Sequence, residues 1–308
     1  IVYSAALGDI SKAPGERLTA GTLLLDAPFT QNSSGDRLWK PGGTSSQGYL
    51  GLITMRKALA LSLNSVAVRI AEQTGVPLIT ETARQLGIDS LKEEDYYGDS
   101  IALGTPSISM LEIARAYSTF ATYGTLVEPY FIDEVRDRDK RVLEQHEAVT
   151  FQEVMDPTVA GITAWLLREV ARRGTGRAAA YALPGIAIAG KTGTTNDYFD
   201  AWFVGFSPDI VLATWVGYDK PKSMGYGSDG ASMALPIWID YMRAAYPTGK
   251  SAPFKPIPKA TFHEIDESNG RVVASGGKLI PFVPETVPTG PVVEIGQQST
   301  EDLLSIEF

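Results

Sequence analysis

Cysteine is absent from the 308 residues, which removes thiol catalysis, zinc–thiolate sites and disulfides together. That absence suits an oxidising extracytoplasmic compartment. Histidine is nearly absent: His146 and His263 are the two copies, and both fall in segments that read as exposed and unrelated, so a Ser-His-Asp hydrolase does not fit. A nucleophile here is better activated by lysine. No apolar run is long enough to span a membrane, and no stretch has the make-up of a signal peptide. Positive charge is in short supply, with 27 Lys and Arg against 36 Asp and Glu and a formal net charge of −9. Neutralising phosphates needs a basic surface, so the chain does not read as a nucleic-acid binder, and an anionic ligand has to be met locally. Nothing in the sequence calls for a metal or an organic cofactor.

What remains is a globular composition, 44% hydrophobic and 20% charged, in a chain long enough to bury a sizeable core. The opening Ile1-Val2-Tyr3-Ser4-Ala5-Ala6-Leu7 reads as the middle of a buried helix rather than a natural start, so a fragment is expected. Helical spacing runs from Thr54 to Thr74 but breaks at Ser62-Leu63-Asn64. Met55 and Leu59 share a face before the break and Val66 and Ile70 one after it, with Asn64 placed to cap the second helix and Gly75 to end it. A short helix is expected from about Pro77 to Leu86, closed by Gly87. Ser109 and Glu112 form a capping box for a helix carrying Ile113, Ala116, Phe120 and Ala121 and ended by Gly124. Asp156-Pro157 opens another, with Val159, Ile162, Leu166 and Val170 along one side and Arg168, Arg172 and Arg173 towards its end.

After Gly174 the pattern changes. Ile186 to Ala189, Ala201 to Phe206 and Ile210 to Val216 are short β-branched and aromatic runs separated by turn residues, which predicts antiparallel strands. Ala234 to Ala245 returns to helix with Ile237, Tyr241 and Met242 on a compatible face. Helices, then a meander, then a helix predict an α+β fold, an antiparallel sheet packed with helices. Scattered prolines beyond Thr248, from Pro253 to Pro291, place a boundary near 250. Residues 251–308 then read as an extended appendage ending in a poorly ordered terminus from Ser299 to Phe308.

The run Gly190-Lys191-Thr192-Gly193-Thr194-Thr195 sits among these strands and puts an ammonium, several hydroxyls and a bare glycine backbone on a sheet edge. Such a set can hold a carboxylate and polarise a carbonyl. Alone it is weak, since a hairpin turn with a surface lysine has the same letters. Ser62-Leu63-Asn64 alone is a helix cap. Together, a serine and an asparagine on a helical loop facing a Lys-Thr-Gly strand are two of the three walls of penicillin-recognising serine enzymes.

The likeness extends further. Residues 52–70 (LITMRKALALSLNSVAVRI), 102–124 (ALGTPSISMLEIARAYSTFATYG), Gly174-Thr175-Gly176-Arg177-Ala178, residues 189–208 (AGKTGTTNDYFDAWFVGFSP) and Pro236-Ile237-Trp238 with Tyr241-Met242 together resemble the transpeptidase domain of class A penicillin-binding proteins. The resemblance covers most of residues 1–250, and the tail is similar to that family's C-terminal extension. It implies the fold shared by penicillin-binding proteins and serine β-lactamases, and a two-step acyl transfer. A serine attacks the D-Ala-D-Ala bond of a peptidoglycan stem peptide, and the acyl group passes to an amine on a neighbouring stem; β-lactams acylate the same serine. It further implies that Ser62 relays a proton, Lys191 orients that hydroxyl, and Asn64 holds the substrate carbonyl and the catalytic lysine. Thr192 and Thr194 bind the terminal carboxylate, with the Thr194 N–H as an oxyanion donor. Gly193 lets substrate lie along the strand, and Thr195 supports it. An N-terminal membrane anchor, an extracytoplasmic location and an upstream glycosyltransferase domain come with the family as well.

Two departures stand out. Leu63 is apolar where the family's middle motif often has a polar residue. More seriously, the Ser-x-x-Lys that supplies nucleophile and base one helical turn apart is missing from any suitable position. Its single literal match, Ser275-Gly276-Gly277-Lys278, lies in the Pro-rich tail with two glycines inside it, and Thr54-Met55-Arg56-Lys57 is only a near match. In the resembled family Ser-x-x-Lys-Pro immediately precedes a helix similar to Ile1-Val2-Tyr3-Ser4-Ala5-Ala6-Leu7, so the resemblance implies a nucleophile and base just upstream of Ile1. A non-catalytic cell-wall scaffold, and a D,D-carboxypeptidase or β-lactamase on the same fold, remain alternatives at this level.

Overall fold

Helix α6, Pro157–Arg173 (17 residues), is the axis on which the rest is hung. Asp156 caps it by accepting from the N–H groups of Thr158 (2.8 Å) and Val159 (3.1 Å), and Pro157 fills a first-turn position that has no donor to lose. The expected stripe Val159, Ile162, Leu166 and Val170 is buried in one apolar cluster, while Ala164 and Leu167 enter a second and Ala171 a third. The helix is thus wrapped on several sides, as its nearly continuous apolar surface requires.

The computed structural model describes residues 1–28, 48–91, 97–146 and 151–288, with the backbone of 31–32 and 38–39. The helices around α6 are α1 (Val2–Leu7), α2 (Met55–Leu61), α3 (Asn64–Thr74), α4 (Val76–Gln85), α5 (Met110–Ala121), α7 (Arg177–Ala182) and α8 (Leu235–Ala245). Every residue from Tyr3 to Leu7 is buried, as the opening heptapeptide predicted. The Ser109–Glu112 capping box of α5 is formed in both directions. Among the described residues no helix is long and apolar enough to cross a membrane.

Strands β1 (Leu23–Asp26) and β2 (Gly51–Thr54) make an antiparallel pair leading into α2. The main sheet is antiparallel, ordered β5 (Val211–Gly217), β4 (Asp200–Phe206), β3 (Ala189–Thr194). In register, Val204 faces Lys191, Phe203 faces Thr192 and Trp202 faces Gly193. A C-terminal sheet is ordered β7 (Val272–Val273), β6 (Thr261–Ile265), β8 (Lys278–Phe282). This α+β arrangement is the one the sequence predicted.

Local departures have local causes. The strand expected at Ile186–Ala189 begins only at Ala189, because the Ala187 N–H is taken by the Ser251 hydroxyl (2.9 Å) while Ile186 and Ile188 point into the core. In α8, Trp238 sets the inward face: it is fully buried and donates its ring N–H to the Leu212 carbonyl (3.1 Å). Leu235, Ile239 and Met242 turn inward with it, leaving Ile237 and Tyr241 exposed, contrary to expectation. The composition does change near 250, yet Ile265, Ile280 and Phe282 from the tail complete the same apolar cluster as Leu7, Met55 and Ile70. The expected disorder of Ser299–Phe308 lies outside the described residues.

Candidate active site

The site forms where the α2–α3 junction meets the edge of β3. Helix α2 starts at Thr54, whose hydroxyl accepts from the Lys57 N–H (3.4 Å); this near match to Ser-x-x-Lys is an N-cap. The helix ends at Ser62, which adopts the left-handed conformation (φ 58°, ψ 47°) while its N–H bonds the Leu59 carbonyl (3.0 Å). A residue with a Cβ is held there at about 1–2 kcal/mol, a form of local strain characteristic of functional turns. Leu63 is buried and supplies the extended N-cap backbone of α3, so Asn64 is the first helical residue rather than the expected cap. Leu63 thus points into the core while Ser62 and Asn64 stay half-buried on either side of it.

Opposite them, β3 contains the whole Lys-Thr-Gly-Thr run and, among the described residues, pairs through β4 alone, leaving its other edge open. The Lys191 ammonium donates to Ser62 Oγ (2.7 Å) and to the Thr192 carbonyl (2.8 Å), so helical loop and strand meet at one charge. Burial of the ammonium pushes its pKa down to about 8. The Thr192 hydroxyl lies 2.6 Å from that of Thr175. Thr194 Oγ1 accepts from the Gly230 N–H (3.0 Å), which leaves the Thr194 hydroxyl proton available to another acceptor. Thr195 supports the strand end as expected: its hydroxyl accepts from the Asp200 N–H (2.7 Å). A Cβ at Gly193 would stand 3.2 Å from Trp202 Cβ, so glycine is favoured there by packing as well as by access to the strand edge.

The structure therefore brings Ser62, Lys191, Thr192, Gly193 and Thr194 together and sets Asn64 at the start of the adjoining helix. Thr175, inside the Gly174-Thr175-Gly176 run, is a site residue to which the sequence pattern alone assigns no part. Its signal was a glycine-flanked threonine just after a long helix. Ser275 lies in a loop where Gly276 takes φ +82°, and Lys278 opens β8 and pairs with Glu169 (3.7 Å), so that serine and lysine share no helical turn. Both histidines are occupied elsewhere, His146 stacked on Tyr130 and His263 against Phe282. Among the described residues no cluster of metal-ligating side chains occurs.

Chemically the arrangement sets one ammonium, a serine hydroxyl and two threonine hydroxyls beside a strand edge, groups that can hold an anion and pass a proton. That wall, on helices packed against a three-stranded antiparallel sheet, is the architecture of the penicillin-binding and serine β-lactamase fold, and solved structures bear out the class. The chain superposes on penicillin-binding protein 1A of Haemophilus influenzae with a TM-score of 0.84 and 28% identity, over 94% of this chain and 47% of that one. With PonA1 of Mycobacterium tuberculosis the TM-score is 0.68 at 24% identity, a likeness of fold.

The family model described as "Penicillin binding protein transpeptidase domain" matches residues 19–238, and the chain belongs to that family. Its relatives include penicillin-binding protein 1A of Neisseria meningitidis, 42% identical over 250 residues, and that of Aquifex aeolicus, 43% identical over 216. These alignments cover 79% and 70% of this chain. The chain spans about 30% of the length of the Neisseria relative and 28% of the Aquifex one.

Proposed function

We propose that this chain supplies the substrate-recognising and proton-relaying walls of a serine D,D-transpeptidase that cross-links peptidoglycan stem peptides and is inhibited by β-lactams. The observation that carries the reading is the 2.7 Å hydrogen bond from Lys191 to Ser62, which joins the two motifs at one charge. In this reading the terminal D-Ala carboxylate lies against Thr192 and Thr194 with the Lys191 charge behind them, and the donor peptide runs along the open edge of β3 past Gly193. Asn64 holds the peptide carbonyl and the catalytic lysine, and the Thr194 N–H faces the developing oxyanion.

In this reading the attacking serine and its lysine base are those of a Ser-x-x-Lys motif of the whole protein, distinct from Ser62, Lys191 and the Ser275–Lys278 pair. The serine oxygen bonds to the carbonyl carbon of the penultimate D-Ala while its proton passes to the base. The C–N bond to the terminal D-Ala breaks, and its nitrogen receives a proton through Ser62. An acceptor amine then displaces the serine oxygen, which recovers a proton. The reading places the protein on the outer face of a bacterial cytoplasmic membrane, held by an N-terminal segment alongside a glycosyltransferase domain. Residues 1–250 form the transpeptidase unit, with 251–308 as its extension.

The test uses the protein carrying residues 1–308 together with whatever precedes Ile1, incubated with a stem peptide ending in D-Ala-D-Ala and a labelled amine. Labelled cross-linked product is expected. Hydrolysis without any transfer to the amine contradicts a transpeptidase.

A further inference from the structure

The 2.6 Å contact between the hydroxyls of Thr175 and Thr192 crosses from the turn after α6 to the clamp strand. Thr175 is fixed at its backbone as well. Its N–H donates to the Ala60 carbonyl (3.2 Å), two residues before Ser62. On one side Gly174 packs so closely on that carbonyl that a Cβ would lie 2.0 Å from the oxygen, and on the other the Gly176 N–H donates to Val170 (3.3 Å). One residue thereby touches both walls of the site, α2 through its backbone and β3 through its side chain.

The direction of the hydroxyl pair matters. A hydroxyl has a single proton. If Thr192 gave its proton to Thr175, it would present only lone pairs to an incoming carboxylate and repel it. If Thr175 is the donor, the Thr192 proton is left for the ligand and its oxygen is polarised by the bond it accepts, a chain in which each hydrogen bond strengthens the next. Thr194 reaches the same state by a different route, its oxygen accepting from the Gly230 N–H. Both threonines of the clamp would then be set as donors by a partner behind them.

We propose that Thr175 is a positioning residue that orients the Thr192 hydroxyl to donate to the ligand carboxylate. This rests on the reading of Thr192 and Thr194 as a carboxylate clamp. The ligand class is a peptide with a free C-terminal carboxylate, and the role of Thr175 is to make the site prefer that carboxylate over a neutral end.

The experiment measures binding of a D-Ala-D-Ala peptide and of its C-terminal amide to the 308-residue chain by NMR titration, for wild type, T175V, T175S, T192V and the T175V/T192V double variant. Wild type is expected to favour the acid. T175V should weaken acid binding about tenfold, the loss of one hydrogen bond to a charged group, with little change for the amide. T175S, which keeps the hydroxyl, should restore it, and the double variant should bind no worse than T192V, because the two hydroxyls act as one unit. Thermal melting of each variant separates misfolding from a lost preference, since a misfolded site loses acid and amide alike. Unchanged acid preference in folded T175V, equal weakening of acid and amide, or additive losses in the double variant would overturn the proposal. A wild type indifferent to acid and amide would overturn the clamp itself, and the role of Thr175 with it.

Discussion

Lys191 is the residue on which the site turns. Its ammonium is taken out of water to reach Ser62, and that burial holds its pKa at about 8 instead of the ordinary 10.5. The Lys191 charge is therefore present below about 8 and lost above it. Binding of a carboxylate-ended peptide should therefore be flat on the acid side and fall towards tenfold per pH unit on the alkaline side, as the charged fraction does. A profile flat to about pH 10 would remove the Lys191 charge from the clamp. Stability moves the other way. Between about 8 and 10.5 the unfolded chain holds a proton that the folded chain has released, so stability rises with pH across that window.

Much at this scale was legible. Lys191 and the threonines announce themselves by residue type, and the caps at Ser109 and Asp156 are local hydrogen bonds spanning two or three residues. Asn64 was misplaced by one position, because Leu63 is drawn into the core and takes the cap backbone with it. Thr175 was missed because its partner lies 17 residues away on another element, and no local pattern encodes that approach.

Among the elements, α2 decides where Ser62 sits, and four contacts hold it. Arg56, nearly buried, pairs with the equally buried Glu169 of α6 (2.6 Å) and with Glu267 after β6. Gly174 abuts the Ala60 carbonyl, and the Thr175 N–H bonds that same oxygen. Gly174 has φ −106°, which any residue can adopt, so glycine is required there for room rather than conformation. In G174A the new methyl meets backbone atoms that cannot rotate away. The variant should lose about 1–3 kcal/mol in urea unfolding, the usual range for overpacking, together with the preference for a C-terminal carboxylate. A G174A protein within about 0.5 kcal/mol of wild type, the range of ordinary surface changes, would show that α2 is not seated by this contact.

Helix limits were readable from caps and periodicity. The start of β3 and the inward face of α8 were not, since they depend on Ser251 and Leu212, groups brought in by tertiary packing.

At the scale of the molecule, the tail beyond residue 250 closes the core around the helix that carries the site. Ile265, Ile280 and Phe282 are fully buried in one apolar cluster with residues of α1, α2, α3 and α6, and Lys278 and Glu267 complete the charge network at Arg56 and Glu169. Each apolar side chain is worth about 1.5–3 kcal/mol, and their sum is comparable to the about 5–15 kcal/mol that holds a domain together. A chain ending at residue 250 should therefore lack a cooperative thermal transition in calorimetry; a sharp transition near that of the 308-residue chain would make the tail a separate unit. Proline content suggested an appendage because it reports backbone regularity and says nothing of which side chains turn inward.

The proposal that β3 and Ser62 form one wall of a penicillin-reactive site is open to measurement. Intact-mass measurement of the whole protein carrying residues 1–308, after exposure to penicillin, in wild type and K191A tests it. A covalent penicilloyl adduct is expected in wild type, formed at least about a hundredfold more slowly in K191A, as for loss of a group that stabilises developing charge. No adduct in wild type, or equal rates in the two proteins, would contradict it.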